Sequence, residues 1–196
     1  MATIDIIKEQ IKFYPDFPKK GINFIDVLPL LSNAETFSAL IGEISRHIHS
    51  ANVAAPEARG FLFAAPLLLI KDGGVENFIA FRKNGKLPAA ENDLVKVTIM
   101  KEYGDDSIYF RVSDLENARP TLGGDPAIEV SIFDDILATG GTAEGMAEHL
   151  NAQVIDTEYG KLPVRVKEFV FLAEIADLGG KERLGQIAPV TSLISF

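Results

Sequence analysis

Residues 129–142 have the sequence EVSIFDDILATGGT, and this stretch decides the fold. Its first half is a short apolar segment rich in β-branched residues, which is typical of a buried strand. Asp134 and Asp135 stand where that strand is expected to end. The small residues 138–142 allow a tight turn, and residues 143–150 resume with helical spacing. The stretch therefore predicts a strand, a loop and a helix in succession.

The predicted loop suits a phosphate group. A helix N-terminus offers unpaired N–H groups and a partial positive charge of roughly half an elementary charge. Two adjacent carboxylates would repel that phosphate unless they face ribose hydroxyls or a divalent cation. The pattern thus favours a sugar phosphate, while the alternative is an ordinary strand-to-helix turn with acidic capping residues. Neither GxxxxGK[ST] nor a GxGxxG after a strand occurs in the chain.

Composition limits the classes of protein that this chain can belong to. Its 196 residues, of which 47% are hydrophobic and 24% charged, are enough for one globular α/β domain over residues 1–196. A formal net charge of −9 argues against nucleic-acid binding. The chain contains no cysteine, no signal-peptide pattern and no apolar run near the roughly 20 residues of a membrane span. We therefore expect a soluble, cytoplasmic protein without a membrane partner.

Three further segments carry charged residues at predicted turns. Arg59 precedes an apolar helix, where a cation and helix N–H groups together could hold a diphosphate. Residues 82–88, RKNGKLP, cluster three cations after a predicted strand. Glu102 and Tyr103 occupy the predicted tip of a hairpin between residues 94–100 and 107–112. The alternatives are a surface arginine, a solvated basic run and a polar turn.

These segments resemble one family of enzymes. FDDILATGGT, residues 133–142, resembles the phosphoribosyl-pyrophosphate (PRPP) motif of the type I phosphoribosyltransferases. The segments EARG at 57–60, RKNGKLP at 82–88 and EYG at 102–104 resemble the adenine branch of that family. The resemblance implies an α/β fold of the type I phosphoribosyltransferase class, with a parallel sheet flanked by helices. It also implies an N-terminal hood over residues 1–31 and a core over residues 32–196 with a flexible β-hairpin at about 84–112.

The resemblance also implies an activity: AMP and diphosphate from adenine and PRPP, with Mg²⁺ bound mainly through PRPP. It implies a homodimer, and a strained or cis Glu57–Ala58 peptide. The phosphate-binding residues would be Ala138, Thr139, Gly140, Gly141 and Thr142, and the ribose-binding residues Asp134 and Asp135. The pyrophosphate-binding residues would be Glu57, Ala58, Arg59, Gly60, Arg82, Lys83 and Lys86. The adenine-binding residues would be Asn23, Phe24, Ile25 and Ile136, and the catalytic residues Glu102 and Tyr103.

The sequence departs from the family in places that leave other functions open. Ile25 stands where many members have arginine, and Ala64 replaces a common glycine. Residues 117–127 and 152–166 form long predicted loops without an interpretable motif. Hypoxanthine, guanine or xanthine could replace adenine as the base. A PRPP-sensing or nucleotide-sensing regulator could also use the same fold.

Overall fold

The structure of the chain is a computed structural model that describes residues 3–70, 74–99 and 106–196. The helices are α1 (Thr3–Gln10), α2 (Ala34–Ser45), α3 (Arg59–Ala64), α4 (Val112–Glu116), α5 (Gly141–Asn151) and α6 (Gly180–Leu184). The strands are β1 (Lys12–Tyr14), β2 (Phe24–Asp26), β3 (Asn52–Pro56), β4 (Asn77–Lys83), β5 (Leu94–Ile99), β6 (Asp106–Arg111), β7 (Ile128–Leu137), β8 (Val154–Thr157), β9 (Gly160–Glu174) and β10 (Val190–Ser195). Short 3₁₀ turns cover Leu28–Ser32, Ala65–Leu69 and Ala176–Leu178.

One large sheet organises these elements, and its strand order is β10-β9-β7-β3-β4-β6-β5. The five strands from β10 to β4 are parallel, while β6 and β5 add to the β4 edge in antiparallel fashion. The parallel centre is buried on both faces, which explains the long apolar runs in the sequence of its strands. The predicted parallel sheet flanked by helices is confirmed.

Apolar clusters cover both faces of this sheet. On one face α5 and the β5–β6 hairpin enclose Phe81 and Phe110, whose ring centroids lie 4.8 Å apart. On the other face α1, α2 and α3 pack around Phe63 and Phe133. The N-terminal arm belongs to this second cluster, since Ile25 of β2 is buried within it. The short β1–β2 ladder therefore rests on the body of the protein.

The predicted strand around the two aspartates is longer than the sequence pattern indicated. β7 continues to Leu137, so Asp134 and Asp135 lie inside its last four residues. The ladder to β9 still pairs Asp134 with Phe171 and Leu137 with Glu174, which explains the extension. The predicted helix at 143–150 is α5, which begins two residues earlier at Gly141.

The two long predicted loops have different outcomes. Residues 152–166 are mostly a β-hairpin, because β8 pairs antiparallel with the first residues of β9 and Gly160 adopts a φ of +97° at the turn. The prediction of a loop there was wrong. Residues 117–127 form a connection closed by an isolated bridge between Thr121 and Ala127. The β5–β6 hairpin is confirmed, but residues 100–105 at its tip lie outside the described residues.

Asn52 at the start of β3 anchors the 117–127 connection. Its side-chain amide donates to the carbonyls of Arg119 and Glu129 at 2.9 and 2.8 Å, and its Oδ1 accepts from the Arg119 N–H at 2.8 Å. Asn52 is fully buried, so water cannot replace these three bonds.

We expect Asn52→Ala to lower the free energy of unfolding by about 2–4 kcal/mol, because it removes three hydrogen bonds made by a buried side chain to the backbone. Urea denaturation measures the change. The matched control is Asn117→Ala, which removes a single exposed hydrogen bond to Ser113 and should cost at most about 0.5–1.5 kcal/mol. Equal losses in the two variants would contradict this account of the connection.

Candidate active site

The candidate site lies at the carboxyl edge of the sheet. β7, β3 and β4 are parallel neighbours, so the loops that follow them leave the sheet on the same side. Those loops carry three of the predicted segments, at residues 138–142, 57–60 and 82–86. Tertiary structure thus brings together residues that are about 25 to 80 positions apart in the sequence.

The loop before α5 has the backbone geometry of an anion-binding turn. Gly140 adopts a left-handed φ of +80°, which only glycine adopts without strain, and α5 begins directly after it. No side chain caps this helix, so its first N–H groups face the site without a side-chain acceptor. The geometry suits a phosphate monoester, and phosphate binding by residues 138–142 stays a prediction.

A second segment supports that loop from behind. A Cβ on Gly180 would lie 2.2 Å from the Ala138 carbonyl oxygen, and one on Gly140 would lie 3.2 Å from Cγ of Leu184. An ion pair between Arg183 and Glu144 joins α6 to α5. This contact was not predicted from the sequence. The paired glycines at 179–180 were the local feature that could have indicated a close backbone approach there.

Asp134 and Asp135 form a closely coupled acidic pair. Asp135 is buried and Asp134 is partly buried, and the Asp135 N–H donates to Asp134 Oδ1 at 2.8 Å. Burial, reinforced by the negative charge of Asp135, raises the pKa of Asp134 well above its usual range. Burial also raises the pKa of Asp135, although the Arg59 guanidinium opposes that shift. The pair therefore binds a proton more tightly than a free aspartate does.

Arg59 connects the pyrophosphate segment to this acidic pair. Its Nε lies 2.8 Å from Asp135 Oδ2, as an ion pair rather than an aligned hydrogen bond, since Oδ2 accepts none within the described part of the chain. Nη1 donates to the Ile25 carbonyl at 3.2 Å, and the guanidinium carbon lies 5.1 Å from the centroid of the Phe24 ring. Arg59 thus contacts both the ribose segment and the predicted adenine segment.

Close backbone contact joins the same two loops. A Cβ on Gly60 would lie 3.1 Å from Asp134 Oδ1, so the absence of a side chain at residue 60 lets the 57–60 loop approach β7. The Glu57–Ala58 peptide is cis, as the resemblance implied. The close approach of Gly60 places the loop against the acidic pair.

Glu57 joins the same loop to the end of β4. Its Oε2 accepts from Arg82 Nε at 2.6 Å, and its Oε1 accepts from the Lys83 N–H at 3.0 Å. Burial pushes the pKa of Glu57 upward, but the bonds from Arg82 and Lys83 outweigh it and lower the pKa overall. Lys86 is exposed, and its N–H donates to the Lys83 carbonyl in a turn at 3.1 Å.

In the predicted adenine segment, the side chain and the backbone carbonyl of Ile25 have different surroundings. Ile25 is only 5% exposed and its side chain points into the apolar cluster, while its carbonyl faces Arg59. Phe24 and Ile136 are partly buried, and Asn23 is exposed. A side-chain change at position 25 therefore leaves the backbone acceptor in place. Glu102 and Tyr103 lie outside the described residues.

Within residues 3–70, 74–99 and 106–196, no group of three or more histidine, aspartate or glutamate side chains is placed to hold a metal ion. Over the same ranges, no helix is long and apolar enough to cross a membrane.

Comparison with known proteins identifies the family. A curated adenine phosphoribosyltransferase from Caldanaerobacter subterraneus subsp. tengcongensis is 36% identical over 197 residues, which cover 99% of each chain. The chain belongs to the adenine phosphoribosyltransferase family. Members of this family are pentosyltransferase enzymes. No protein-family model matches the chain.

Solved structures of adenine phosphoribosyltransferases share the fold. The enzyme from Thermoanaerobacter pseudethanolicus is 35% identical, with a TM-score of 0.79 and coverage of 98% of this chain and 99% of that chain. The enzyme from Saccharomyces cerevisiae is 33% identical, with a TM-score of 0.78 and coverage of 98% of both chains. The yeast structure is a complex with adenine and an imino-altritol bisphosphate.

We expect Gly180→Ala to weaken AMP binding at least tenfold, because its Cβ cannot lie 2.2 Å from the Ala138 carbonyl without moving the phosphate loop. Calorimetric titration with AMP measures the effect. Gly42→Ala is the matched control, since it adds the same methyl group in open space on α2 and should bind AMP normally. Normal AMP affinity in a folded Gly180→Ala protein would show that this contact does not shape the loop.

A pH prediction follows from the acidic pair. Because the folded-state pKa of Asp134 is raised, the folded chain binds this proton more tightly than the unfolded chain, and stability falls as pH rises from about 4 through the folded pKa. Asp134→Asn should remove that fall and make the folded protein more stable at neutral pH. Urea denaturation between pH 5 and 8 measures how the free energy of unfolding changes with pH in the wild type and in Asp134→Asn. The same pH dependence in both proteins would contradict a raised pKa of Asp134.

Proposed function

We propose that this chain is an adenine phosphoribosyltransferase that makes AMP and diphosphate from adenine and PRPP in purine salvage. The observation that carries the proposal is the meeting of three features at one sheet edge. These features are the uncapped N-terminus of α5, the acidic pair of β7 and the Arg59 loop. The family relationship supports the same conclusion, since a yeast member at 33% identity was crystallised with adenine.

The sugar phosphate would occupy the α5 end of the site. The 5′-phosphate would accept hydrogen bonds from the N–H groups of residues 138–142, and Asp134 and Asp135 would contact the ribose hydroxyls. Both carboxylates would accept hydrogen bonds from those hydroxyls, so their charge would face the sugar and not the 5′-phosphate.

The base would occupy the space between Phe24 and Ile136. In the substrate-free chain, the Arg59 guanidinium already lies over the Phe24 ring and donates to the Ile25 carbonyl. A planar group with hydrogen-bond donors is thus accommodated there, and adenine has the same character. The backbone at Asn23 and Ile25 would contact the polar edge of the base.

The diphosphate would lie between the two basic loops. Arg59, with Ala58 and Gly60 beside it, would supply a guanidinium and backbone N–H groups, and Arg82, Lys83 and Lys86 would add positive charge. Binding would move Arg59 from Asp135 to the diphosphate, because adenine would take the place of the guanidinium over the Phe24 ring. That exchange would release Asp135 for the ribose.

Cleavage at the anomeric carbon builds positive charge on the ribose, so the neighbouring carboxylates would stabilise the transition state. Mg²⁺ would be held mainly by PRPP oxygens, with Asp134 and Asp135 as the protein oxygen donors at the site. One or two carboxylates that supplement substrate phosphates are typical of Mg²⁺ sites. When bound, the ion would neutralise charge on the leaving diphosphate.

Residues 1–196 would act as a single domain, since one sheet carries both apolar clusters and the N-terminal arm packs into the cluster around Phe63 and Phe133. We propose that this domain works in the cytoplasm.

The chain would work as a homodimer. Leu62 and Leu68 are exposed, and Leu69 is 81% exposed, along α3 and the turn after it. Adjoining exposed leucines support a contact with a second copy.

Steady-state kinetics with adenine, hypoxanthine, guanine and xanthine test the proposed activity. We expect AMP formation from adenine and PRPP to dominate. Nucleotide formation only from another base would overturn the base assignment, and PRPP binding without any nucleotide formation would favour a regulator. Gly141→Val, which fills the phosphate loop, should abolish both AMP binding and turnover.

Glu102 would act on the base proton, a role that comes from the resemblance. Attack by adenine requires loss of a proton from its imidazole edge, and a carboxylate shielded from water could accept it. Glu102→Gln should lower kcat by about 10²–10⁴-fold with PRPP binding nearly unchanged. Tyr103→Phe, which removes only a hydroxyl group, should cost less. Wild-type kcat in Glu102→Gln, with chemistry rate-limiting, would exclude this role.

The homodimer is tested by light scattering during size-exclusion chromatography. We expect twice the chain mass of 21.3 kDa, and a shift toward the monomer in Leu69→Glu because a charge would be buried at the contact. A fully active wild-type species of 21.3 kDa at working concentration would contradict the dimer.

A further inference from the structure

We infer that Glu57 is a positioning residue that aims Arg82 at the diphosphate. The inference rests on the proposed function and gives Glu57 a role other than direct diphosphate binding. The Glu57 carboxylate accepts hydrogen bonds from Arg82 Nε and the Lys83 N–H, which leaves the terminal nitrogens of Arg82 for a ligand.

A carboxylate in a diphosphate loop needs a physical explanation. Its negative charge would repel the diphosphate, and the lowered pKa of Glu57 keeps it ionised at neutral pH. Its side chain is only 12% exposed, so solvent does not screen the charge well. Glu57 is therefore compatible with anion binding only if a nearby cation neutralises its charge.

The contacts of Glu57 meet that condition. Oε2 accepts from Arg82 Nε at 2.6 Å, and Oε1 accepts from the Lys83 N–H at 3.0 Å. The Glu57 N–H also donates to the Phe81 carbonyl at 2.8 Å. Three hydrogen bonds thus connect the first residue of the 57–60 loop with three successive residues at the end of β4. The two basic loops are joined into one rigid unit.

The geometry leaves the outer part of the Arg82 guanidinium available. Glu57 engages Nε, and within the described ranges Nη1 and Nη2 of Arg82 donate no hydrogen bond. The Arg82 side chain is 38% exposed. Two terminal nitrogens of a planar fork are the groups that bind phosphate oxygens in bidentate fashion.

Arg111 provides an internal comparison. Arg111 donates to both oxygens of Asp114, from Nε at 3.2 Å and from Nη2 at 2.7 Å. Its carboxylate partner therefore occupies both nitrogens of one guanidinium edge. Glu57 instead divides its oxygens between Arg82 and a backbone N–H. The Arg111–Asp114 pair therefore neutralises itself, whereas the Arg82–Glu57 pair leaves the terminal nitrogens of Arg82 able to bind a ligand.

Calorimetric titration with inorganic diphosphate, combined with a double-mutant cycle, tests the inference. We expect Glu57→Gln to weaken diphosphate binding about tenfold, because loss of the carboxylate charge frees Arg82 to rotate. In an Arg82→Ala background, Glu57→Gln should no longer weaken diphosphate binding, because there is no guanidinium left to position. The KM for PRPP should rise by a similar factor, with kcat and the KM for adenine within twofold of wild type.

Two controls keep a structural role apart from a positioning role. Asp114→Asn breaks the comparable pair with Arg111 away from the proposed site, and it should leave diphosphate binding unchanged. AMP affinity should also stay near wild type in Glu57→Gln. Equal weakening by Glu57→Gln with and without Arg82, or undiminished diphosphate binding in Glu57→Gln, would overturn the inference. Failure of the wild-type chain to bind either diphosphate or PRPP would instead overturn the proposed function, and the inference with it.

Discussion

The ion pair between Arg59 and Asp135 is the contact on which the rest of the site depends. A chain with a formal net charge of −9 must receive substrates that are themselves anions. It can do so only where each carboxylate near the ligand is paired or protonated. Asp135 faces Arg59, Asp134 has a raised pKa, and Glu57 binds Arg82. Each of these three acids is thereby kept from repelling a phosphate.

Strand order produces these pairings. β3 lies between β7 and β4, so the loop after β3 can contact the acids of one neighbour and the basic end of the other. Arg59 turns toward β7 and Glu57 turns toward β4, although only one residue separates them. The 57–60 loop is therefore the bridge of the site, and small residues such as Gly60 allow its close approach.

Local patterns in the sequence predicted the parts of the site, but not their contacts. Residues 129–142 predicted β7, the loop and α5, because hydrophobic runs and small residues are local signals. The pairing of Arg59 with Asp135 could not be predicted, since it depends on which strands are neighbours. Gly180 was missed for the same reason, because its contact with Ala138 crosses about 40 residues of sequence. The β8–β9 hairpin was missed because its turn at Gly160 lacks a common two-residue hairpin signature.

A crystal structure of the chain with AMP and diphosphate would test these pairings. We expect Arg59 to leave Asp135 and contact the diphosphate, with both aspartates on the ribose hydroxyls and the AMP phosphate on the N–H groups that lead into α5. We also expect adenine to lie against Phe24, where the Arg59 guanidinium now lies. AMP bound elsewhere, or Arg59 still paired with Asp135 in the complex, would contradict this arrangement.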